Sequence, residues 1–127
     1  MGRLYKFDEL PPVGRGAGIA SVELTSPPLA EQGFIMGITT FPPGTSIPIH
    51  CHNTVEQVTL IEGEGLAEIA GEQFPVRPFD TTQVPAGQFH RFLNPGPATM
   101  RILWVYGSTH VTRTFLDGRT VDQFEQP

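Results

Sequence analysis

The stretch GTSIPIHCHNTVEQVTLIEG, residues 44–63, carries the signal that decides the fold of this chain. It places two histidines one residue apart, a cysteine between them, and a glutamate four positions after the second histidine. Side chains of a β-strand alternate between its two faces, so His50 and His52 point the same way and Cys51 points the other way. Two imidazoles on one face can converge on a divalent ion, and Glu56 can add an oxygen ligand if the chain bends after His52.

Short runs rich in Val, Ile, Thr and Phe flank this stretch and are separated by glycines and prolines. The 127-residue chain has 14 glycines and 13 prolines spread along its length, which leaves little room for long helices. Apolar runs spaced by roughly 8–12 residues are typical of an all-β sandwich or barrel. We therefore predict an all-β fold, an antiparallel β-barrel with few or no helices. The runs are IASVELT, GFIMGITTF, TSIPIHCH, VEQVTLIE, GLAEIA, EQFPV, DTTQVP, QFHRFLN, TMRILWVYG and HVTRTF.

Turn signals place two hairpins and one irregular segment. The Asp117-Gly118 pair predicts a two-residue hairpin turn, and Ala70-Gly71 predicts a second one. Residues 1–16 are predicted to be irregular, and residues 17–127 are predicted to form one barrel domain. The GRGAG sequence at residues 14–18 is not a dinucleotide-binding fingerprint, because its third glycine falls too early and no strand-turn-helix follows.

Composition bounds the class of protein. A chain of this length with 39% hydrophobic residues supports one packed core. Its formal net charge of −5 argues against a nucleic-acid-binding surface. The single cysteine excludes an intramolecular disulfide, and no apolar run is long enough for a signal peptide or a membrane span. We expect a cytoplasmic protein with no nucleic-acid or membrane partner.

A second pattern follows the first. The sequence PAGQFHRFLN, residues 85–94, has the spacing P-x-G-x2-H-x3-N and contributes His90. The spacing in residues 44–63 is G-x5-H-x-H-x3-E-x6-G. Together the two patterns resemble the defining motifs of the cupin superfamily, and the resemblance covers residues 44 to 94. It implies a small cupin-type, jelly-roll-like β-barrel (a double-stranded β-helix) in which His50, His52, Glu56 and His90 are the four ligands of a metal ion.

The chain departs from the superfamily pattern at one position. The second motif usually opens with a glycine six residues before the proline, and Phe79 stands there. That glycine serves a turn and does not bind the metal, so the substitution concerns the shape of the loop and leaves the predicted ligands intact.

The expected ligand set restricts the metal without identifying it. Three imidazoles and one carboxylate suit Fe, Mn, Ni, Cu or Zn and contain too much nitrogen for Mg or Ca. A structural zinc site is more often closed, tetrahedral and rich in cysteine. An octahedral ion with four protein ligands keeps two open positions, which favours a catalytic or ligand-binding metal.

Strand alternation also predicts which residues line a pocket around the metal. Gln88 and Phe92 share the face of His90, Val58 and Leu60 share the face of Glu56, and the strand after Met100 places Ile102, Trp104 and Tyr106 inward. In GFIMGITTF the parity is open, with Phe34, Met36, Ile38 and Thr40 as one candidate wall. The expected pocket is apolar and aromatic, and no inward Arg or Lys can be placed. The predicted pocket residues are Met36, Ile38, Val58, Leu60, Gln88, Phe92, Ile102 and Trp104.

These residues favour a small metal-dependent enzyme. The first hypothesis is a dioxygenase acting on a small enolic, aromatic or diketone-like compound, with Glu56 and Tyr106 as catalytic residues. The second is a non-redox isomerase, lyase or cyclase in which the metal acts as a Lewis acid. The third is a non-catalytic ligand-binding barrel, because a fold does not by itself establish chemistry.

Three further residues carry expectations of their own. Cys51 is expected to pack on the outer face of its strand as a small hydrophobe. His110 lies outside both motifs and is expected at the surface or a subunit contact, with a proton relay through it or Tyr106 as the alternative. An outward row of Ile49, Cys51 and Ile61 could supply an apolar contact, so we expect a homodimer.

Overall fold

Two antiparallel β-sheets build the protein in the computed structural model, which describes residues 2–25 and 33–124. Within these residues the only helical element is a 3-10 turn at Phe7–Glu9, so the predicted all-β fold is confirmed. The strands are β1 (Pro12–Gly14), β2 (Ala20–Glu23), β3 (Ile35–Phe41), β4 (Thr45–Ser46), β5 (His50–His52), β6 (Glu56–Glu62), β7 (Gly65–Ile69), β8 (Glu72–Val76), β9 (Thr81–Val84), β10 (His90–Asn94), β11 (Met100–Tyr106), β12 (Thr112–Phe115) and β13 (Thr120–Asp122).

The strand order brings distant parts of the sequence side by side. The first sheet runs β1-β2-β3-β11-β6-β9, and the second runs β13-β12-β5-β10-β7-β8 with β4 paired to β10. Both sheets contribute to a single core cluster, in which Val58 and Ile102 of the first sheet meet Ala67 and Phe92 of the second. The inner faces of the two sheets therefore pack against each other, and the site lies between them.

The turns largely follow the local sequence signals. Ala70 and Gly71 both have positive φ, 53° and 82°, which is the conformation of a two-residue hairpin turn between β7 and β8. The turn at Asp117-Gly118 also joins two strands, but it is longer than predicted. The backbone N–H of Phe115 donates to the carbonyl of Arg119, so residues 116–118 form the loop.

The position where the second motif usually has a glycine keeps a glycine-like backbone conformation. Phe79 stands at that position with a φ of +78°, a left-handed conformation that L-residues adopt at a cost. Its side chain is 78% exposed, so no packing contact holds it there. The backbone N–H of Phe79 donates to the carbonyl of Leu60 at 2.6 Å, which keeps the turn in place.

Asn94, the last residue of the second motif, closes the loop ends near the core. Its side-chain amide donates to the carbonyls of Phe41, Pro42 and Ala98 at 2.8–3.2 Å, and Asn94 is 1% exposed. These bonds tie the end of β3 to the loop before β11. The role of this residue is structural.

The predicted irregular segment at the start of the chain needs correction. Residues 12–14 form β1, which pairs with β2, so the predicted irregular segment 1–16 contains a strand of the first sheet. Residues 1, 26–32 and 125–127 of the predicted ranges lie outside the described residues.

The expected outward row is also wrong, because Cys51 lies on β5 in the second sheet and Ile61 on β6 in the first. The homodimer stays a prediction without that surface. No helix in the described part of the chain is long and apolar enough to cross a membrane.

Candidate metal centre

Three buried histidines converge between the two sheets. His50 and His52 lie on β5, and His90 begins β10 directly opposite His50 in the antiparallel register. Their ring centroids are 4.6–5.2 Å apart. One ligating nitrogen from each ring falls within 4.8 Å of the others, so this histidine cluster (His50, His52 and His90) can hold a metal ion.

Each ring of the histidine cluster is oriented by a backbone carbonyl. The Nδ1 atoms of His50, His52 and His90 lie 2.8, 3.0 and 2.9 Å from the carbonyl oxygens of Pro48, Thr112 and Gln88. Because a carbonyl accepts only, each Nδ1 carries the proton and donates it. The three Nε2 atoms are thereby the ligating atoms, in the arrangement that metal-binding histidines usually show.

Glu56 lies against the same cluster at the start of β6. Its Oε1 atom is 2.8 Å from His90 Nε2 and 3.5 Å from His52 Nε2, and the residue is 5% exposed. The short contact with His90 means that the carboxylate and the imidazole share a proton when no metal intervenes.

Burial and neighbouring charges set the protonation states. Burial, reinforced by His52 and His90, lowers the pKa of His50 to about 3, so its ring is neutral at neutral pH. Burial opposes ionisation of Glu56, but the hydrogen bonds and charges of His52 and His90 outweigh it and hold its pKa well below the usual range. For His90 burial also acts against the charged form, but the hydrogen bond and charge of Glu56 outweigh it and raise its pKa.

The donor set fits a transition-metal ion. Three Nε2 atoms with fixed tautomers and one adjacent carboxylate oxygen form a nitrogen-rich site of the kind that Fe, Mn, Ni, Cu and Zn occupy. One carboxylate and three neutral rings leave part of a divalent charge uncompensated, which favours an additional anionic ligand from outside.

A cavity lined by His50, His90 and Glu56 of this centre has Tyr106 and exposed Pro48 in its wall. Tyr106 is 2% exposed, and its hydroxyl lies 3.4 Å from His52 Nε2 and accepts a hydrogen bond from Gln123 Nε2 at 3.0 Å. Burial, together with the charge and hydrogen bond of Glu56, raises the pKa of Tyr106 well above its usual value. The phenol therefore stays protonated.

Six of the eight predicted pocket residues divide into three groups, and the other two lie on β3. Phe92, Ile102 and Trp104 line the cavity. Val58 and Leu60, each 1% exposed, belong to the core and are not among the residues that line it. Gln88 is half-buried in the turn before β10, where its backbone carbonyl orients His90.

The candidate wall on β3 was assigned to the wrong face. Met36 and Ile38 alternate with buried Ile35, Gly37, Thr39 and Phe41, and Thr39 is the β3 residue that lines the cavity. A Cβ atom on Gly37 would lie 2.3 Å from the ring of Trp104, so a glycine must stand on the inner face at this point. Since both faces of GFIMGITTF carry large apolar residues, alternation alone does not reveal that choice.

Other polar wall residues were missed by sequence reasoning, most importantly two arginines. Arg113 stands between buried Val111, just before β12, and buried Phe115 at its end, and this alternation was a usable signal. Arg15 follows β1 in a segment predicted to be irregular, where no periodic signal exists. The wall residues not predicted are Arg15, Ser21, Thr39, Ile47, Pro48, Arg113, Phe115 and Gln123.

Two side chains lie away from the centre. Cys51 points to the opposite face of β5 from the histidines and is half-buried. His110 is exposed in the loop before β12 and does not line the cavity, which gives no support to a proton relay through it.

Comparison with known proteins places these features in a family. The family model for the cupin domain matches residues 37–106. A 5-nitrosalicylic acid 1,2-dioxygenase from Bradyrhizobium sp is 33% identical over 64 residues, which is 50% of this chain but only 31% of that protein. The polyketide synthase CurC of Streptomyces cyaneus is 28% identical over 103 residues, 80% of this chain and 67% of that protein.

A solved structure gives the same result for the fold. The crystal structure of a predicted oxalate decarboxylase from Thermotoga maritima superposes with a TM-score of 0.74 at 21% identity, covering 84% of this chain and 99% of that one. The matched segment, residues 37–106, contains all three histidines and Glu56. The chain belongs to the cupin domain family.

Proposed function

We propose that this protein is a metal-dependent dioxygenase acting on a small enolic, aromatic or diketone-like compound. The observation that carries the proposal is the histidine cluster, with three oriented Nε2 atoms within 4.8 Å and Glu56 against it, beside a cavity that His50, His90 and Glu56 help to line. The similarity to a 5-nitrosalicylic acid 1,2-dioxygenase supports this reading of the site.

The residues of the histidine cluster and Glu56 would have different roles in this function. His50, His52, His90 and Glu56 would hold one divalent ion of Fe, Mn, Ni, Cu or Zn. When bound, a redox-active ion would supply Lewis acidity and the means to activate dioxygen. Glu56 is ionised at neutral pH and can accept the proton of a substrate hydroxyl at Oε1.

Tyr106 is a hydrogen-bond donor in this scheme. Its oxygen already accepts from Gln123 Nε2, and its pKa is raised, so the phenol keeps its proton and can donate it to a substrate oxygen in the cavity. The aromatic and aliphatic walls, which include Phe92, Ile102 and Trp104, limit the access of water to the reacting atoms.

The test is oxygen uptake by iron-loaded protein with a panel of small enols, catechols, salicylates and β-diketones. We expect uptake that depends on substrate, and its loss in the His50→Ala/His52→Ala double variant. His110→Ala is the matched control, because this exposed histidine lies outside the cluster. Absence of uptake with every metal of the set would count against a dioxygenase.

A non-redox activity is the second candidate, supported by the similarity to the polyketide synthase CurC over most of this chain. Glu56 and Tyr106 present one ionised and one protonated oxygen to the same cavity, which is what a proton-transferring isomerase, lyase or cyclase needs. Turnover by zinc-loaded protein in the absence of oxygen would favour this function over the first.

A further inference from the structure

Two buried arginines share the cavity with the histidine cluster. Arg15 is 7% exposed and Arg113 is 5% exposed, and both line the cavity together with Gln123. A guanidinium group that lines a cavity can donate paired hydrogen bonds to an anionic group of a ligand. We refer to Arg15 and Arg113 as the arginine pair.

Strand register fixes Arg113 beside the metal centre. Arg113 of β12 stands directly opposite His52 of β5, and residues paired in this way project from the same face of a sheet. Its guanidinium carbon lies 5.5 Å from the ring centroid of Phe115, another cavity residue, which orients the planar group.

A tight loop brings Arg15 to the same cavity. Gly16, Ala17 and Gly18 all have positive φ, which folds the chain back so that the backbone N–H of Arg15 donates to the carbonyl of Ile19 at 2.8 Å. The Nε atom of Arg15 donates to Ser21 Oγ at 3.1 Å. The GRGAG sequence, which has no role in dinucleotide binding here, is therefore the loop that positions this guanidinium.

Hydrogen bonds continue from Arg15 across the wall. Ser21 Oγ and Thr39 Oγ1 are 2.7 Å apart, and Trp104 Nε1 donates to Thr39 Oγ1 at 2.9 Å. The arginine is thus tied to the strands that also carry Trp104 and Tyr106, and its position is defined before any ligand enters.

The wall of the cavity carries cationic groups close to the metal centre. Two guanidinium groups and one carboxylate, that of Glu56, line the described part of the cavity, and a bound divalent metal would add more positive charge. Burial and the charge of Arg113 lower the pKa of Arg15 to about 10, which still leaves it protonated at neutral pH.

We propose that the arginine pair and Gln123 form a recognition site for the carboxylate group of the substrate, beside the histidine cluster. This inference rests on the proposed function, and it narrows the substrate to a small organic acid that also carries an enol, phenol or carbonyl oxygen. The planar fork of a guanidinium matches the two oxygens of a carboxylate, and its weaker hydration suits a buried pair.

A carboxylate fits this wall better than a phosphate. Phosphate sites commonly use glycine-rich backbone nests or helix N-termini. The cavity-lining residues of the described chain include no glycine, and its 3-10 turn does not reach the cavity. The wall also includes the aromatic rings of Phe92, Trp104 and Phe115, against which a planar acid can pack.

The first test needs no variant. Calorimetry on the zinc-loaded full chain, under nitrogen, compares salicylate with its uncharged analogue salicylamide and with inorganic phosphate. We expect salicylate to bind about tenfold or more tightly than salicylamide, since hydrogen bonds to a charged group are the stronger ones. Equal affinity for the acid and the amide, no binding of either, or tighter binding of phosphate would overturn the proposal.

The second test assigns the effect to the arginines. Arg15→Gln and Arg113→Gln should each weaken salicylate binding by about tenfold, and Arg113→Lys should recover only part of it. Arg77→Gln is the matched control, because it removes the same charge from an exposed position outside the cavity. Unchanged salicylate affinity in both cavity variants, folded by circular dichroism, would contradict the proposal.

Failure here and failure of the proposed function give different results. The dissociation constant of salicylate reports on the arginine pair, and it can be measured with zinc, which supports no oxygen uptake, and again on the metal-free full chain. Oxygen uptake reports on the metal chemistry. Loss of uptake with selective salicylate binding would remove the dioxygenase and leave the carboxylate site standing.

Discussion

His50 and His90 of the histidine cluster line the same cavity as the arginine pair, but the sequence marks the two groups of residues in different ways. His50, His52 and His90 fall in two short patterns that already announce them in the sequence. Arg15 and Arg113 come from the two ends of the chain, and they meet because β1-β2 and β12 flank the central strands. Sequence motifs thus mark the residues of the metal end, although His90 meets His50 only through the pairing of β10 with β5, whereas no motif marks the proposed substrate end.

The largest expected effect separates the histidine cluster from the arginine pair. His90→Ala removes one ligating Nε2 and should weaken zinc affinity by about 100-fold or more, since even changes behind a ligand cost about 10–100-fold. It leaves both arginines and their contacts in place. Competition with a chromogenic chelator measures the zinc affinity, and His110→Ala should match the unmodified protein. Undiminished zinc affinity in His90→Ala would remove that residue from the centre.

The next prediction distinguishes the histidine cluster from the arginine pair by the pH dependence of zinc affinity and of salicylate affinity. Because the pKa of His90 is raised by Glu56, metal must displace its proton, and zinc affinity should rise by about tenfold per pH unit while His90 remains protonated in the metal-free protein. In protein saturated with zinc His90 would be a ligand and would no longer titrate, so salicylate affinity should stay flat between about pH 6 and pH 8, since Arg15 titrates near 10. A parallel pH dependence of both affinities would break the distinction.

The same raised pKa has a consequence for the metal-free protein. His90 contributes stability that is fully present below its ordinary pKa of 6.5 and is lost as the pH rises through the higher folded value. Urea unfolding of the metal-free protein on both sides of that window measures the loss.

A smaller effect is expected from the wall that supports Arg15. Thr39→Val keeps the shape of the side chain but leaves Ser21 Oγ and Trp104 Nε1 without the partner they have now. We expect a loss of about 1–3 kcal/mol in the free energy of unfolding, and weaker salicylate binding with unchanged zinc content. Thr40→Val, on the half-buried outer face of the same strand, is the control. A loss of zinc with retained salicylate binding would mean that Thr39 supports the metal centre and not Arg15.

The smallest expected effect concerns Phe79, which belongs neither to the histidine cluster nor to the arginine pair. Phe79→Gly relieves a left-handed residue, worth about 1–2 kcal/mol, against the extra freedom that glycine gives the unfolded chain, about 0.4–1 kcal/mol. We expect a net gain of between zero and about 1.6 kcal/mol, measured by urea unfolding. Phe74→Gly, an exposed position within β8, should destabilise instead. Destabilisation by Phe79→Gly would mean that its ring has a contact that the turn needs.

Sequence reasoning predicted the all-β fold from strand alternation and turn signals, and it predicted from the resemblance to the cupin motifs that His50, His52, Glu56 and His90 lie together, as they do. It failed on β3, where alternation is satisfied by either face and Gly37 opposite Trp104 decides which one turns inward. It failed on Arg15 because the GRGAG turn has no periodicity. The expectation of an apolar pocket without inward arginines was therefore wrong.

The most direct measurement of the central claim is the metal content of freshly purified, untagged protein, determined by elemental mass spectrometry beside the His50→Ala/His52→Ala variant. We predict about one equivalent of a transition metal per chain, since the four donors enclose a single site, and its loss in the variant. Protein that holds no metal after incubation with Fe, Mn, Ni, Cu and Zn in turn, or a variant that retains the metal, would contradict the assignment of this centre.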